Sequence, residues 1–275
     1  MSRLLGQGGI RKMRTLLDAP VQYHLPLGED PVAMNDLLGQ RLSLRYSGRI
    51  ECVACGRETR KSFNQGYCYP CFRDLAECDM CIVRPETCHF HLGTCREPEW
   101  AQAHCMQPHV VYIANSSGLK VGITRETQVP TRWIDQGASQ AVPVFRVRSR
   151  FHSGLIEATL KRYVSDRTDW RRMLKGSDRV ADLAGKAAEI VDAARQDLEE
   201  LADSHAGLDW EVLSEPVTEI TFPVIEYPVK VQSFSLDKAD TVSGVLQGIK
   251  GQYLIMDGGV INMRKFAGYE IGLYA

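Results

Sequence analysis

The sequence predicts an α+β fold assembled from a cysteine-rich module, an α/β module, one long helix and a C-terminal β module like a small barrel. Three observations predict it. All nine cysteines fall between residues 51 and 109. Residues 110–176 alternate strand and helix patterns, and residues 177–210 carry a single helical apolar period. Residues 211–275 return to short β-rich runs separated by glycine turns.

The 275 residues suffice for several modules and a sizeable core. No run of 18 apolar residues occurs, so no membrane span is expected. The start, "MSRLLGQGGIRKMRT", lacks a continuous apolar core and a small-residue cleavage site, and is not read as a signal peptide. The expected compartment is cytoplasmic, where nine cysteines are reduced thiols or metal ligands rather than disulfides. An odd number also argues against a closed disulfide framework.

Residues 1–50 read as a β-rich lead-in. "VQYHLPL" and "RLSLRYSGRIEC" have strand composition, and Ser47-Gly48 suits a hairpin turn inside the second run.

Residues 51–109 form the cysteine module. "CVAC" and "CYPC" stand twelve residues apart, giving Cys52, Cys55, Cys68 and Cys71. Paired Cys-x-x-Cys turns place four sulfurs tetrahedrally, and the spacing is that of a zinc-ribbon-like site. Gly56 and Gly66 supply the tight turns beside the knuckles. Four protein ligands leave no open position, so this Zn2+ would be structural. A second set follows in "CDMCIVRPETCHFHLGTCREPEWAQAHC". Cys78, Cys81, Cys88 and Cys95 are the preferred four for a second zinc, with Cys105, His89, His91, His104 and His109 as further candidates. An iron–sulfur cluster is the other chemistry four cysteines support. The aromatic and basic residues around the block suit either nucleic-acid contact or the core of a small zinc module.

Residues 110–176 follow. Here "HVVY" ends a strand at Tyr112, and "KVG" continues a second strand from Lys120. Arg132 falls in "TRWIDQGA", where Pro130 and Thr131 suit a helix start. Glu157 falls in "SGLIEATLKRYV", a helix whose apolar face is Leu155, Ile156, Leu160, Tyr163 and Val164. The order and spacing of these elements resembles the GIY-YIG endonuclease superfamily. The resemblance covers about a quarter of the chain and places Lys120 where that family has its second tyrosine. It implies a GIY-YIG-like α/β module in which Glu157 holds Mg2+ or Mn2+ at a scissile phosphate, Arg132 neutralises transition-state charge and Tyr112 positions or deprotonates water. Lys120 would contact a phosphate, and His152 could serve as an acid or base. No clear Asn matches the family's last position, and Asp169 is a poor substitute. "GYCYPCF", "GTCREP", "KVGITR" and "TRWIDQGA" also resemble an uncharacterised bacterial family of unknown function.

The long helix follows. Val180, Leu183, Ala187, Ile190, Val191, Ala194, Leu198 and Leu201 recur every three or four positions, with acidic residues on the other face.

Charge is distributed unevenly although the net value is −1. Residues 111–180 carry 13 Lys and Arg against 6 Asp and Glu, whereas 181–220 carry 2 against 11. The basic segment suggests a polyanion partner, or else two segments that neutralise each other. Arg125, Arg146, Arg148 and Arg150 are the expected nucleic-acid contacts, the last three alternating along one strand face.

Together these observations predict a zinc-containing protein that binds DNA or RNA, with metal-dependent phosphodiester cleavage as the reaction if there is one. The competing expectations are a non-catalytic nucleic-acid binder, which Lys120 favours, and an adaptor whose acidic helix meets a protein partner.

Overall fold

The computed structural model describes residues 3–164, 169–176 and 179–275. The N-terminal strands are β1 (Leu4–Gly9), β2 (Arg14–Leu16), β3 (Gln22–Leu25), β4 (Val32–Ala33) and β5 (Arg41–Ile50). The cysteine region is mostly single 3-10 turns, with two short helices, α1 (Tyr69–Asp74) and α2 (Pro98–His104). The centre runs β6 (His109–Asn115), β7 (Leu119–Arg125), α3 (Thr131–Asp135), β8 (Gln140–Val147), α4 (Arg150–Leu160) and α5 (Trp170–Met173). Helices α6 (Leu183–Ala193) and α7 (Arg195–Ser204) lead to the short strands β9 (Glu211–Val212) and β10 (Thr218–Glu219). The chain closes with β11 (Thr241–Lys250), β12 (Tyr253–Met256), β13 (Gly259–Asn262) and β14 (Tyr269–Tyr274). Among these described residues no helix is long and apolar enough to cross a membrane.

The expected small barrel does not form among the described residues. The C-terminal strands instead share one antiparallel sheet with the N-terminal ones, in the order β1-β14-β5-β11-β12-β13. Strand β5 is the reason. It is ten residues long, and β14 and β11 pair with its two edges. The expected hairpin at Ser47-Gly48 is absent for the same reason. The chain stays extended there, and its register against β14 slips between Tyr46 and Ile50. Gly48, at φ +91°, supplies the backbone that this bulge needs.

The central sheet runs β10-β8-β6-β7, with β9 also on β8. Alternation along β6 feeds two cores. Val110, Tyr112 and Ala114 join the larger one, with Trp133 and residues of the N- and C-terminal strands. Val111 and Ile113 join a second one under α4, α6 and α7. Every residue of β6 is therefore buried. The expected stripe from Val180 to Leu201 packs into this second core. Its helix bends at Ala194 (φ −89°, ψ 0°), which keeps its backbone bonds to Ile190 and Leu198.

Candidate metal centre and the Tyr112 cluster

The strongest candidate site is the first cysteine set. Residues 51–58 form a tight hairpin in which the Cys52 N–H donates to Arg57 O at 2.8 Å and the Gly56 N–H to Cys52 O at 2.9 Å. Gly56 turns the chain at φ +71°. A second turn runs through Asn64, Gln65 and Gly66, all at positive φ. A Cβ on Gly66 would stand 2.5 Å from Val53, so only glycine lets the two turns meet. The second cysteine pair then departs from the paired-knuckle expectation. Cys68 is the N-cap residue of α1 and Cys71 lies in its first turn, so a helix start, not a second hairpin, presents them. The four sulfurs lie within 4.8 Å of one another, with Cys55 and Cys68 at 3.7 Å. Burial raises the Cys52 thiol, but backbone N–H groups of Cys68, Cys55 and Ala54 outweigh it and bring it down to about 6. N–H groups aimed at a sulfur favour its thiolate, the form that ligates metal. The donor set fits a zinc ion: four sulfurs, two of them fully buried, with no further position required.

The second set divides differently from expectation. Cys81, Cys88, Cys95 and Cys105 line one small cavity together with Asp79 and His89. Cys78 does not line it; its electrostatic neighbours are Asn64, Glu77, Arg96 and Cys52. At the rim, Asp79, Cys81 and His89 bring ligand atoms within 4.8 Å of one another. Asp79 also meets Arg96 at 2.7 Å.

Tyr112 feels the charges of Arg132 and Glu157, which are half-buried, but lies itself in the interior. Tyr112 is 0 % exposed. Its hydroxyl donates to Gln136 Oε1 at 2.9 Å, and its ring meets Trp133 edge-on at 5.8 Å. Burial pushes the phenol up to about 12; Glu157 adds to the rise, and Arg132 and Gln136 oppose it. A phenol held there is no base at neutral pH. Glu157 also pairs with Lys161 at 3.2 Å, one helical turn on. Pro130 sits at the N-cap of α3, where the sequence expected a helix start. Sequence reasoning missed Gln136. Its signal is its place four residues after Arg132, on the same face of one turn.

Lys120 lies on β7, the strand beside that of Tyr112. Register pairs it with Ala114, next to the Tyr112–Gly122 pair and on the same sheet face. It is 8 % exposed and lines a cleft of about 400 Å³ at the β6–β7 turn, with Ser117, Tyr163, Arg172, Lys186 and Glu189. His152 lies away from the cluster. Burial lowers it, and its charged neighbours are Arg148, Asp209 and His205. Asp169 caps α5, accepting from the Arg171 and Arg172 N–H groups.

The expected arginine face is broken up. Arg146 donates to Glu126 at 2.8 Å and to Glu211 at 2.7 Å, and Arg148 meets Asp209 at 3.7 Å. Two of those three acids belong to the acidic 181–220 segment, so the two charged segments do neutralise each other here. Arg150 turns inward, donating to Ile82 O at 2.6 Å. Arg125 is half-buried at the end of β7.

A family model spans nearly all of these features. The chain belongs to the family described as protein of unknown function (DUF2797). The match covers residues 39–271, which include all nine cysteines and the Tyr112 cluster and leave β1 to β4 outside. No curated protein matches the chain. No solved structure matches it. The DUF2797 description supplies no chemistry, so the site must be read from its own geometry.

Proposed function

We propose that this DUF2797 protein binds nucleic acid without cleaving it, around a zinc-stabilised cysteine module. The observation that carries the reading is the cleft at the β6–β7 turn. Lys120, Arg172 and Lys186 line it against one carboxylate, Glu189, which Lys186 reaches at 2.7 Å. Clustered cations with a neighbouring hydroxyl, Ser117, are what phosphate recognition requires. The burial of Tyr112 supports binding over hydrolysis, since neither water nor a phosphodiester reaches its hydroxyl. Zinc on Cys52, Cys55, Cys68 and Cys71 serves folding. Reduced thiols imply the cytoplasm.

A second reading, a GIY-YIG-like nuclease using Mg2+ or Mn2+, draws support from the shared electrostatics of Tyr112, Arg132 and Glu157 and from a central β6 flanked by β7 and β8.

The test measures binding of single- and double-stranded DNA and RNA across salt concentrations. The parent's affinity should fall steeply as salt rises. Replacing Lys120, Arg172 and Lys186 by Ala should lower the duplex-DNA salt slope by about 3, since each phosphate contact contributes about 0.9. An unchanged slope overturns the cleft. Cleavage by the parent with Mg2+ or Mn2+, abolished by Glu157→Ala, would replace binding with catalysis.

A further inference from the structure

Outside that reading, and independent of the cleft, lies the turn that opens the second cysteine set. Asp79 is the N-cap of a 3-10 turn over Met80–Ile82, and its Oδ1 accepts the Cys81 N–H at 3.2 Å. Further on, His89 caps a second such turn over Phe90–Leu92, which Gly93 reverses at φ +71°. The reversal returns Thr94 to the His89 ring. Asp79, Cys81 and His89 thereby bring one ligand atom each within 4.8 Å of one another. All three are half-buried, so the group is sheltered but within reach of solvent.

A second observation concerns the His89 ring. The Thr94 hydroxyl donates its one proton to His89 O at 3.3 Å, so it accepts from Nδ1, 2.8 Å away. In the neutral imidazole Nδ1 therefore carries the proton, and Nε2 turns its lone pair toward Asp79 Oδ2 at 3.6 Å. Two acceptors that face each other repel unless a cation lies between them. A proton there would form a charge-assisted hydrogen bond, which ordinarily spans about 2.7–2.9 Å. Nitrogen and oxygen ligands at about 2.0–2.1 Å from one tetrahedral zinc stand about 3.4 Å apart, close to the separation found. The supports also suit metal ligands: the other ring nitrogen is held by Thr94, and Arg96 braces the carboxylate at 2.7 Å.

We propose that Asp79 Oδ2, Cys81 Sγ and His89 Nε2 bind a second zinc ion and leave its fourth position to a small ligand from solvent, such as water. One oxygen, one sulfur and one nitrogen suit zinc, whereas magnesium and calcium take oxygen ligands. The carboxylate and the thiolate offset the 2+ charge. The thiol proton leaves to solvent as the ion binds, and no redox change is involved. Three protein ligands with an open position are the arrangement in which zinc polarises a bound water or substrate, unlike the closed set on Cys52, Cys55, Cys68 and Cys71. Of the sequence-based second set the site keeps Cys81 alone. Asp79 had no place in that set, because a carboxylate two residues before a cysteine has no distinctive spacing.

The test is zinc content of the full-length protein after incubation with excess zinc and removal of unbound metal, together with X-ray absorption at the zinc edge. Two zincs per chain are expected. The parent's shell should contain nitrogen or oxygen at about 2.0–2.1 Å beside sulfur at about 2.3 Å. Asp79→Ala, Cys81→Ser and His89→Ala should each reduce zinc from two to one and leave an all-sulfur shell, whereas Cys78→Ser and Cys95→Ser keep two. A single zinc with an all-sulfur shell overturns the proposal and leaves His89 and Asp79 as an ion pair. Two zincs with all-sulfur shells overturn it too, as does loss of one zinc in Cys95→Ser with His89→Ala unaffected. A single zinc with a mixed shell that His89→Ala removes would uphold this site and overturn the one on Cys52, Cys55, Cys68 and Cys71. The parent's spectrum decides even where a variant fails to fold, because an all-sulfur shell excludes Asp79 and His89 as ligands.

Discussion

The Tyr112 ring lies directly over the backbone of Gly122: a Cβ built on Gly122 would fall 2.6 Å from both the phenol oxygen and its ring carbon. The ring cannot retreat, because Trp133 meets one side and Gln136 holds the hydroxyl. Gly122→Ala is therefore expected to destabilise the protein by about 1–3 kcal/mol through overpacking. Tyr112→Phe, which leaves Gln136 Oε1 short of a donor, should cost about 1–2 kcal/mol. Chemical denaturation of each variant against the parent measures both. An unchanged midpoint for Gly122→Ala would show that the ring has room to move.

This pair also shows how much was legible in the sequence. The strand ending at Tyr112 and the "KVG" strand could be read as a hairpin, and their register puts Tyr112 opposite Gly122. The burial of the pair could not be read. It depends on a second layer contributed by strands near both ends of the chain, and such contacts leave no local period. The same limit hid the true place of β11 to β14. Their strand patterns were visible, but their partners β5 and β1 lie some 200 residues away, so a self-contained barrel was the local solution. Cys52, Cys55, Cys68 and Cys71 were legible because metal geometry fixes short spacings. Cys81, Cys88, Cys95 and Cys105 line one cavity without Cys78, a division that spacing alone does not give. The charge asymmetry was visible too, but pairing of Arg146 and Arg148 with residues 209–211 could only be seen in space.

That pairing makes Arg146 a structural residue. Its guanidinium is shared between Glu126 and Glu211, all partly exposed. Exposed pairs of this kind contribute about 0–1 kcal/mol each. Arg146→Ala should lower stability only slightly and leave nucleic-acid affinity and salt slope unchanged. A slope reduced by about 0.9 would instead make Arg146 a phosphate contact.

Asp135 ties three distant parts of the chain together. Its carboxylate, 4 % exposed, pairs with Lys12 and accepts from Gln252 Nε2 at 2.9 Å. Gln252 in turn accepts from the Met13 N–H at 2.8 Å. Asp135→Ala should cost about 2–3 kcal/mol, because it strands buried polar groups. Asp135→Asn, which keeps an acceptor for Gln252, should cost less. A double-mutant cycle with Gln252→Ala should show coupling above about 0.5 kcal/mol. Additive effects would mean that the two side chains act separately.

Lys250 gives the fold a pH signature. It is 1 % exposed, with its ammonium over the rings of Phe222 at 5.3 Å and Tyr227 at 5.5 Å. Burial brings it down to about 8 from an ordinary value of 10.5. Between those pH values the unfolded chain binds a proton that the folded chain does not, so this group's contribution to stability rises with pH. The contribution is complete above about pH 10.5 and is lost as pH falls through about 8. The shift corresponds to about 3 kcal/mol. Lys250→Met keeps the packing and removes the charge. It should therefore be more stable than the parent at pH 7, with the gap closing by pH 10.5. Denaturation midpoints of the two proteins across that range provide the comparison. The difference between them isolates Lys250 from the tyrosines and cysteines that also titrate there. A gap that stays constant with pH would show that Lys250 keeps its proton throughout, stabilised by the two rings more strongly than burial opposes it.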